Sequence, residues 1–297
     1  MSIDAQANLR TLRDVLRFAV TRFSEAGVFF GHGQADAFDE AAFLVMRSLR
    51  LPLERLDVFL GAYLTHGEIN TLLQQIDLRV KKRLPAAYIL KEAWLQGLKF
   101  YVDERVIVPR SFIGELLRDQ LQPWIADPDG ALDVLDLCTG SGCLAVLAAE
   151  VFAAARIDAV DLSADALAVA QKNVEDYQLQ GRVRLVQSDL FAAVAPRRYD
   201  LIVCNPPYVP DASMQRLPQE YQHEPDLALA GGSDGMKVIK RLLREARGHL
   251  KRGGLLVVEV GGERATVEKH FGAIPMTWLT TTAGDDMVFL CRQDELP

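Results

Sequence analysis

Asp133-Val134-Leu135-Asp136-Leu137-Cys138-Thr139-Gly140-Ser141-Gly142-Cys143 reads as a strand that ends in a glycine turn and opens a helix. Glycines at 140 and 142 let the backbone turn sharply and approach a ligand closely, and the helix amides just beyond offer donors. A nucleotide-like cofactor is the natural guest of such a turn, although a packing turn with no ligand can be built the same way. The third glycine of the dinucleotide fingerprint is missing and no Gly-Lys-Ser/Thr follows, which weakens the nicotinamide and P-loop readings alike.

Outward from this stretch, strands and helices alternate as in a parallel sheet with crossovers, an α/β pattern. The strand candidates are 131–137, 156–161, 183–187, 199–204, 255–260, 276–279 and 287–291, and helices fall near 142–152, 164–178, 234–250 and 263–271. The last two strands are joined by Gly284-Asp285-Asp286 with no helix between them. Upstream, Pro109-Arg110-Ser111 opens a helix with Ser111 as its N-cap and Ile113, Leu116, Leu117 and Leu121 along one face. Short β-prone runs at 88–90, 94–95, 99–102 and 106–108 form a hairpin connector.

The chain begins with helical spacing. Leu12, Leu16, Ala19 and Phe23 share one face, and Asp36 and Asp39 can cap a helix through Leu49. Leu53 to Leu64 reads as another helix. Thr65-His66-Gly67-Glu68 has the capping-box form and opens a helix that ends before Pro85. The expected division is a helical domain at 1–84, suited to substrate docking, a connector at 85–110 and a catalytic domain at 111–297.

With 297 residues, 49% hydrophobic and 25% charged, the chain can bury a sizeable core. No apolar run is long enough to span a bilayer, and the first residues lack a basic region followed by an apolar core, so a cytoplasmic location is expected. Through Pro85 there are 11 basic and 10 acidic residues; after it there are 22 and 30. An acidic second part disfavours duplex DNA, whose binding depends on neutralising phosphates, and suits a basic protein partner. Cys138, Cys143, Cys204 and Cys291 form no C-x-x-C pair, and the five histidines stand singly, so neither a disulfide framework nor a metal site is expected.

Three further strand ends carry candidate chemistry. Asp161, in Val160-Asp161-Leu162-Ser163, can accept both ribose hydroxyl hydrogens. It could instead cap the next helix, a role Ser163 can already fill. Ser188-Asp189-Leu190-Phe191 offers Asp189 to an adenine amine and Phe191 to its ring. Asn205-Pro206-Pro207-Tyr208 follows the fourth strand, where two prolines stop the ladder and leave backbone carbonyls beside an amide and an aromatic face. Such a corner can accept hydrogen bonds from a planar NH2 group while Tyr208 covers it.

Glycine loop, acidic ribose partner, Ser-Asp-Leu-Phe and Asn-Pro-Pro-Tyr, in this order, resemble the class I methyltransferases that use S-adenosylmethionine, a likeness shared by the closing hairpin. More specifically, the chain resembles the HemK-like protein-glutamine methyltransferases over nearly its whole length, including Val108-Pro109-Arg110 and Glu224-Pro225-Asp226-Leu227-Ala228-Leu229 before Gly231-Gly232-Ser233-Asp234-Gly235. Cys138 and Ser111 are similar to the branch that modifies large-subunit ribosomal protein L-three. The release-factor branch usually has glycine where Cys138 stands and proline where Ser111 stands. Phe112 departs from the ribosomal-protein branch, which usually has proline there.

The resemblance implies a seven-stranded sheet and S-adenosylmethionine held by Asp136, Cys138, Thr139, Gly140, Gly142, Asp161, Leu162, Asp189, Leu190 and Asn205. It implies that Asn205, Pro206, Pro207 and Tyr208 bind the substrate amide, with Asn205, Pro206 and Tyr208 catalytic. His223 and Glu224 read as loop or gating residues. The expected partner is L-three, either free or within an assembly intermediate, with no sequence-specific DNA binding. The alternatives are the same transfer to a release-factor glutamine, methylation of the adenine amine in DNA, a dehydrogenase, and a noncatalytic ribosome-assembly factor.

Overall fold

The computed structural model describes residues 8–194 and 196–297. The chain forms two compact units: one runs through Ala93 and also takes in Pro218–His223, and the other comprises Trp94–Leu217 and Glu224–Pro297.

In the first unit, α1 (Leu12–Glu25) starts at a capping box in which Thr11 Oγ1 accepts from Asp14 N and Asp14 accepts from Thr11 N. Its buried face is Leu12, Val15, Leu16, Ala19 and Phe23. Asp36 Oδ1 caps α2 (Ala37–Ser48) by accepting from Phe38 N and Asp39 N. The helix expected from Leu53 to Leu64 is instead a 3-10 turn, Leu53–Arg55, followed by the single turn α3 (Leu56–Phe59). Neither piece has a fully buried residue, and Leu56, Phe59, Leu60 and Leu64 pack only partly against the core, a small reward for propagating a longer helix. α4 (His66–Lys81) opens on the capping box of Thr65 and Glu68 that the spacing predicts. Residues 88–90, expected as a β-prone run, lie in α5 (Ala86–Leu90), which starts at Pro85 and ends on the left-handed Lys91. A three-residue apolar run cannot distinguish strand from turn by period, and proline's fixed φ favours a helix start.

Arg79, fully buried, joins three parts of this unit. It donates through Nη1 to Glu220 (3.1 Å), through Nη2 to the Phe29 carbonyl (2.7 Å) and through Nε to Glu40. Glu220 also accepts from Phe29 N. The chain thus leaves the larger unit after Leu217, contributes Glu220 to a buried charge cluster, and returns at Glu224.

The hairpin is β1 (Ala93–Leu95) and β2 (Leu98–Phe100), turning at Gln96 and Gly97, both with positive φ. The run 106–108 is not a strand. Val106 and Val108 are buried, and Val108 N donates to Glu224 Oε1 at 2.9 Å instead of joining a ladder. The next helix, α6 (Ile113–Arg118), has Phe112 at its N-cap, not Ser111. Glu259 supplies the acceptor from a distant strand end: its Oε2 takes Ser111 Oγ–H (2.6 Å) and Phe112 N–H (2.9 Å), and Ser111 Oγ accepts from Ile113 N.

The sheet contains β3 (Asp133–Leu137), β4 (Arg156–Asp161), β5 (Val183–Gln187), β6 (Tyr199–Cys204), β7 (Leu250–Glu259), β8 (Thr277–Thr281) and β9 (Gly284–Arg292), in the order β5-β4-β3-β6-β7-β9-β8. The first five are parallel, and β9 runs antiparallel between β7 and β8. This is the expected seven-stranded sheet with a closing hairpin. Between its strands lie α7 (Cys143–Val151), α8 (Ala164–Asp176), two single turns α9 (Asp211–Met214) and α10 (Asp226–Leu229), α11 (Lys237–His249) and α12 (Arg264–Phe271). One core cluster includes Leu135, Ile202, Leu256 and Phe289 of the sheet together with Ile239 and Leu243 of α11. Strand order reverses between β3 and β6, so the connections that leave their carboxyl ends run to opposite sides and open the crevice where an open α/β sheet receives ligands.

Candidate active site

A cavity of about 130 Å³ occupies that crevice. Of the residues expected at the cofactor or substrate, Cys138, Gly140, Asp161, Leu162, Asp189, Leu190, Asn205 and Pro207 line it. Gly140 and Gly142 have φ of +54° and +77°, the left-handed region in which glycine carries no Cβ penalty. Gly142 is also a close-packing position, since a Cβ there would lie 3.1 Å from the Ala170 Cβ on α8.

Asp161, at the end of β4, is held by two backbone donors: Gly140 N to Oδ2 and Ser163 N to Oδ1, both at 2.9 Å. Each oxygen keeps a lone pair for a hydroxyl donor. Burial pushes its pKa up against those two hydrogen bonds. Ser163 itself caps α8 through Ala166 N, so capping does not consume the carboxylate.

Asp136 and Thr139 lie beneath the loop, both buried. Asp136 Oδ2 accepts from Thr139 Oγ1 (2.5 Å) and Ala145 N (3.1 Å), while Oδ1 has no partner among the described residues. Burial pushes this carboxyl up to about 7. An orphaned buried acceptor at a glycine loop fits a cationic amine such as that of an amino-acid tail. Leu162 and Leu227, 51% and 55% exposed, add flat apolar surface to the cavity. Taken with the ribose-competent Asp161, these features fit S-adenosylmethionine.

Two expectations need correction. Phe191 does not face the cavity: it is 2% exposed and stacks on His249 within the core, at 4.4 Å between ring centroids. Leu162 and Leu190 offer the apolar surface in its place. Glu224 is a buried anchor: it accepts from Val108 N and pairs with Arg110, whose Nη2 lies 2.6 Å from Oε2. His223 Nε2 is 2.7 Å from the Lys82 carbonyl oxygen within the helical unit. Asp189 lines the cavity with both oxygens bonded to Arg241 Nη1 of α11, at 2.8 and 3.0 Å. The sequence carries no signal for Arg241, because one arginine on the polar face of a helix is indistinguishable from its neighbours.

At the end of β6, Cys204 is buried in the core cluster against which Cys138 packs. Asn205 and Pro207 reach the cavity and Pro206 is buried. The chain then forms a parallel bridge at Val209 and Ala230, with Val209 N donating to Leu229 O and Gly231 N to Val209 O. A Cβ on Gly231 would meet the Tyr208 Cα at 2.8 Å, and one on Gly261 would meet the Tyr208 ring at 2.7 Å. Gly231 and Gly261 therefore make the space in which Tyr208 sits. Among the described residues, nothing donates to Asn205 Oδ1 or to the Pro206 carbonyl.

The Methyltransferase small domain family model matches residues 116–220. A methyltransferase structure from Pyrococcus furiosus covers 77% of this chain and 99% of its own, at 16% identity and a TM-score of 0.50, a likeness of fold. A ribosomal protein uL3 glutamine methyltransferase of Burkholderia pseudomallei is 55% identical over 97% of this chain and 96% of its own length. The corresponding protein of Bordetella pertussis is 51% identical over 100% of this chain and 99% of its own. The chain belongs to the ribosomal protein uL3 glutamine methyltransferases. In this methyltransferase the glycine loop, Asp161 and the Asn205 corner occupy consecutive positions around one cavity.

Proposed function

We propose that the enzyme methylates the side-chain amide nitrogen of a glutamine in ribosomal protein uL3, with S-adenosylmethionine as donor. The observation that carries this reading is the pair of unengaged acceptors, Asn205 Oδ1 and the Pro206 carbonyl, beside a cavity lined by Asp161 and Gly140. When bound, S-adenosylmethionine supplies an electrophilic methyl group on a sulfonium. A carboxamide nitrogen is a weak nucleophile because its lone pair is delocalised into the carbonyl. Asn205 Oδ1 and the Pro206 carbonyl would accept its two hydrogens, drawing density onto nitrogen and fixing its direction of approach. Tyr208, held over the corner by Gly231 and Gly261, would cover the amide plane. Orientation and fixed dipoles supply the acceleration, and direct displacement needs no covalent enzyme intermediate. Docking falls to the helical unit and transfer to the other. The cytoplasm, where ribosomal proteins are made, is the compartment this reading implies.

Incubation with methyl-labelled S-adenosylmethionine and undermethylated ribosomal proteins, release factors and DNA tests the assignment. Label on one glutamine of uL3, located by mass spectrometry, is the expected result; label on nucleic acid or on a release factor overturns the substrate. A narrower test addresses Tyr208. Gly261→Ala places a methyl group against the ring at a position of φ +53°. The expected outcome is a kcat reduced about tenfold, equivalent to about 1.4 kcal/mol of lost positioning. Calorimetry should show unchanged affinity for S-adenosylhomocysteine, and a variant with the original kcat would remove Tyr208 from the amide site.

A further inference from the structure

The connector supplies one wall of the cavity through Arg105, Val106 and Ile107, and Arg105 is the single cation among the residues that line it. The two acidic residues of that lining, Asp161 and Asp189, are already engaged by Gly140, Ser163 and Arg241. S-adenosylmethionine carries two positive centres, sulfonium and ammonium, and one anion, its α-carboxylate. An anion brought into a largely apolar cavity must be paired or hydrogen-bonded there, and a guanidinium does both at once. We infer that Arg105 binds the α-carboxylate of the cofactor's amino-acid tail, an assignment that rests on the cofactor reading above.

The guanidinium is held in advance. Its Nε lies 2.8 Å from Asp103 Oδ1 and its Nη2 2.6 Å from Asp103 Oδ2, and the Arg105 backbone N–H also donates to Asp103. Tyr101 Oη fixes the same carboxylate at 2.9 Å. The Arg105 side chain, working against burial, holds Asp103 down at about 2, so the clamp persists throughout the working pH range. One fork of the guanidinium is thereby spent, and Nη1 provides the opposite edge for a second anion. The Arg105 side chain is 41% exposed, so that edge can be reached. Fixing the plane before binding removes part of the ordering cost of the contact, which is the advantage of an arginine clamped by a buried aspartate over a free lysine. A purely structural role, stapling residues 103–105, uses the same Asp103 contacts and must be separated by experiment.

A ligand series separates them. S-adenosylhomocysteine keeps the carboxylate, and 5′-methylthioadenosine lacks the whole tail. Arg105→Gln, and the double variant Asp103→Asn/Arg105→Gln that leaves no unpaired carboxylate in the connector, are compared with the unaltered chain by calorimetry. Each should weaken S-adenosylhomocysteine binding by roughly ten- to a hundredfold, the range of one charge-assisted contact, and leave 5′-methylthioadenosine within about twofold. Decarboxylated S-adenosylmethionine should bind the unaltered and altered chains alike. Equal losses for ligands with and without the carboxylate, or no loss for either, would overturn the assignment while leaving the cofactor reading intact. Failure of the unaltered chain to bind S-adenosylhomocysteine would overturn both.

Discussion

Asn205→Ala is expected to lower single-turnover methyl transfer to uL3 by two to three powers of ten, about the cost of one preorganised hydrogen-bonding partner at a reacting centre. Affinity for S-adenosylhomocysteine, measured by calorimetry, should change by only a few fold. Asn205 is one wall among several around the cavity, and the glycine loop and Asp161 would remain as they are. The substrate amide nitrogen lacks a localised lone pair. Its lone pair becomes available only as its hydrogens are drawn into acceptors, and removal of Oδ1 leaves the Pro206 carbonyl as the sole acceptor at the corner. Asn205→Asp sharpens the test, because a carboxylate is also an acceptor and should recover part of the rate. Near-normal transfer in Asn205→Ala would sink the mechanism.

The strands, glycine loop and Asn205 corner were legible because each is a local event: an apolar run, a glycine pair, a double proline. Thr65 and Glu68 were legible for the same reason, both partners of the capping box lying within one helical turn. The start of α6 was not. Its acceptor, Glu259, lies 148 residues from Ser111 and reaches the helix only through the strand order that sets β7 beside β6. Arg241 on Asp189 and Glu220 on Arg79 are pairings of the same kind, made by tertiary proximity between residues with no distinguishing neighbours. Phe191 shows the converse error. A sequence places an aromatic next to a site residue, but the left-handed Leu190 before it turns the chain, and the ring enters the core.

Gly231 and Gly261 occupy a middle ground. Their presence was visible and their purpose was not, since a glycine marks a close approach without naming what approaches. At Gly261 it is the Tyr208 ring, and at Gly231 it is the Gly235 backbone together with the Tyr208 Cα. The segments carrying these glycines, which follow the Asn205 corner in sequence, therefore belong to the architecture of that corner. Glu224 contributes to the same region by tying Arg110 and Val108 to the start of the Pro225 segment.

Asp161→Ala is expected to weaken S-adenosylhomocysteine binding by about a hundredfold, the combined loss of two hydroxyl-to-carboxylate hydrogen bonds, each worth roughly 1.5 kcal/mol. The substitution also strips Gly140 N and Ser163 N of their acceptor, so part of the loss is a loosened glycine loop. A ribose-modified ligand separates the two effects. An analogue lacking one ribose hydroxyl should lose affinity for the unaltered chain and little for the variant. The pH dependence gives a second discriminator. Burial raises the Asp161 pKa above its ordinary 3.8, and hydroxyl donors favour the ionised form. Affinity should therefore rise with pH through the folded-state pKa of Asp161 and fall as that group protonates. Asp136, held at about 7, would add a separate step in the same direction, because a ligand ammonium also favours its ionised form. In Asp161→Ala the first step should vanish and the step near 7 remain. A variant that keeps both steps and its affinity would remove Asp161 from the ribose site.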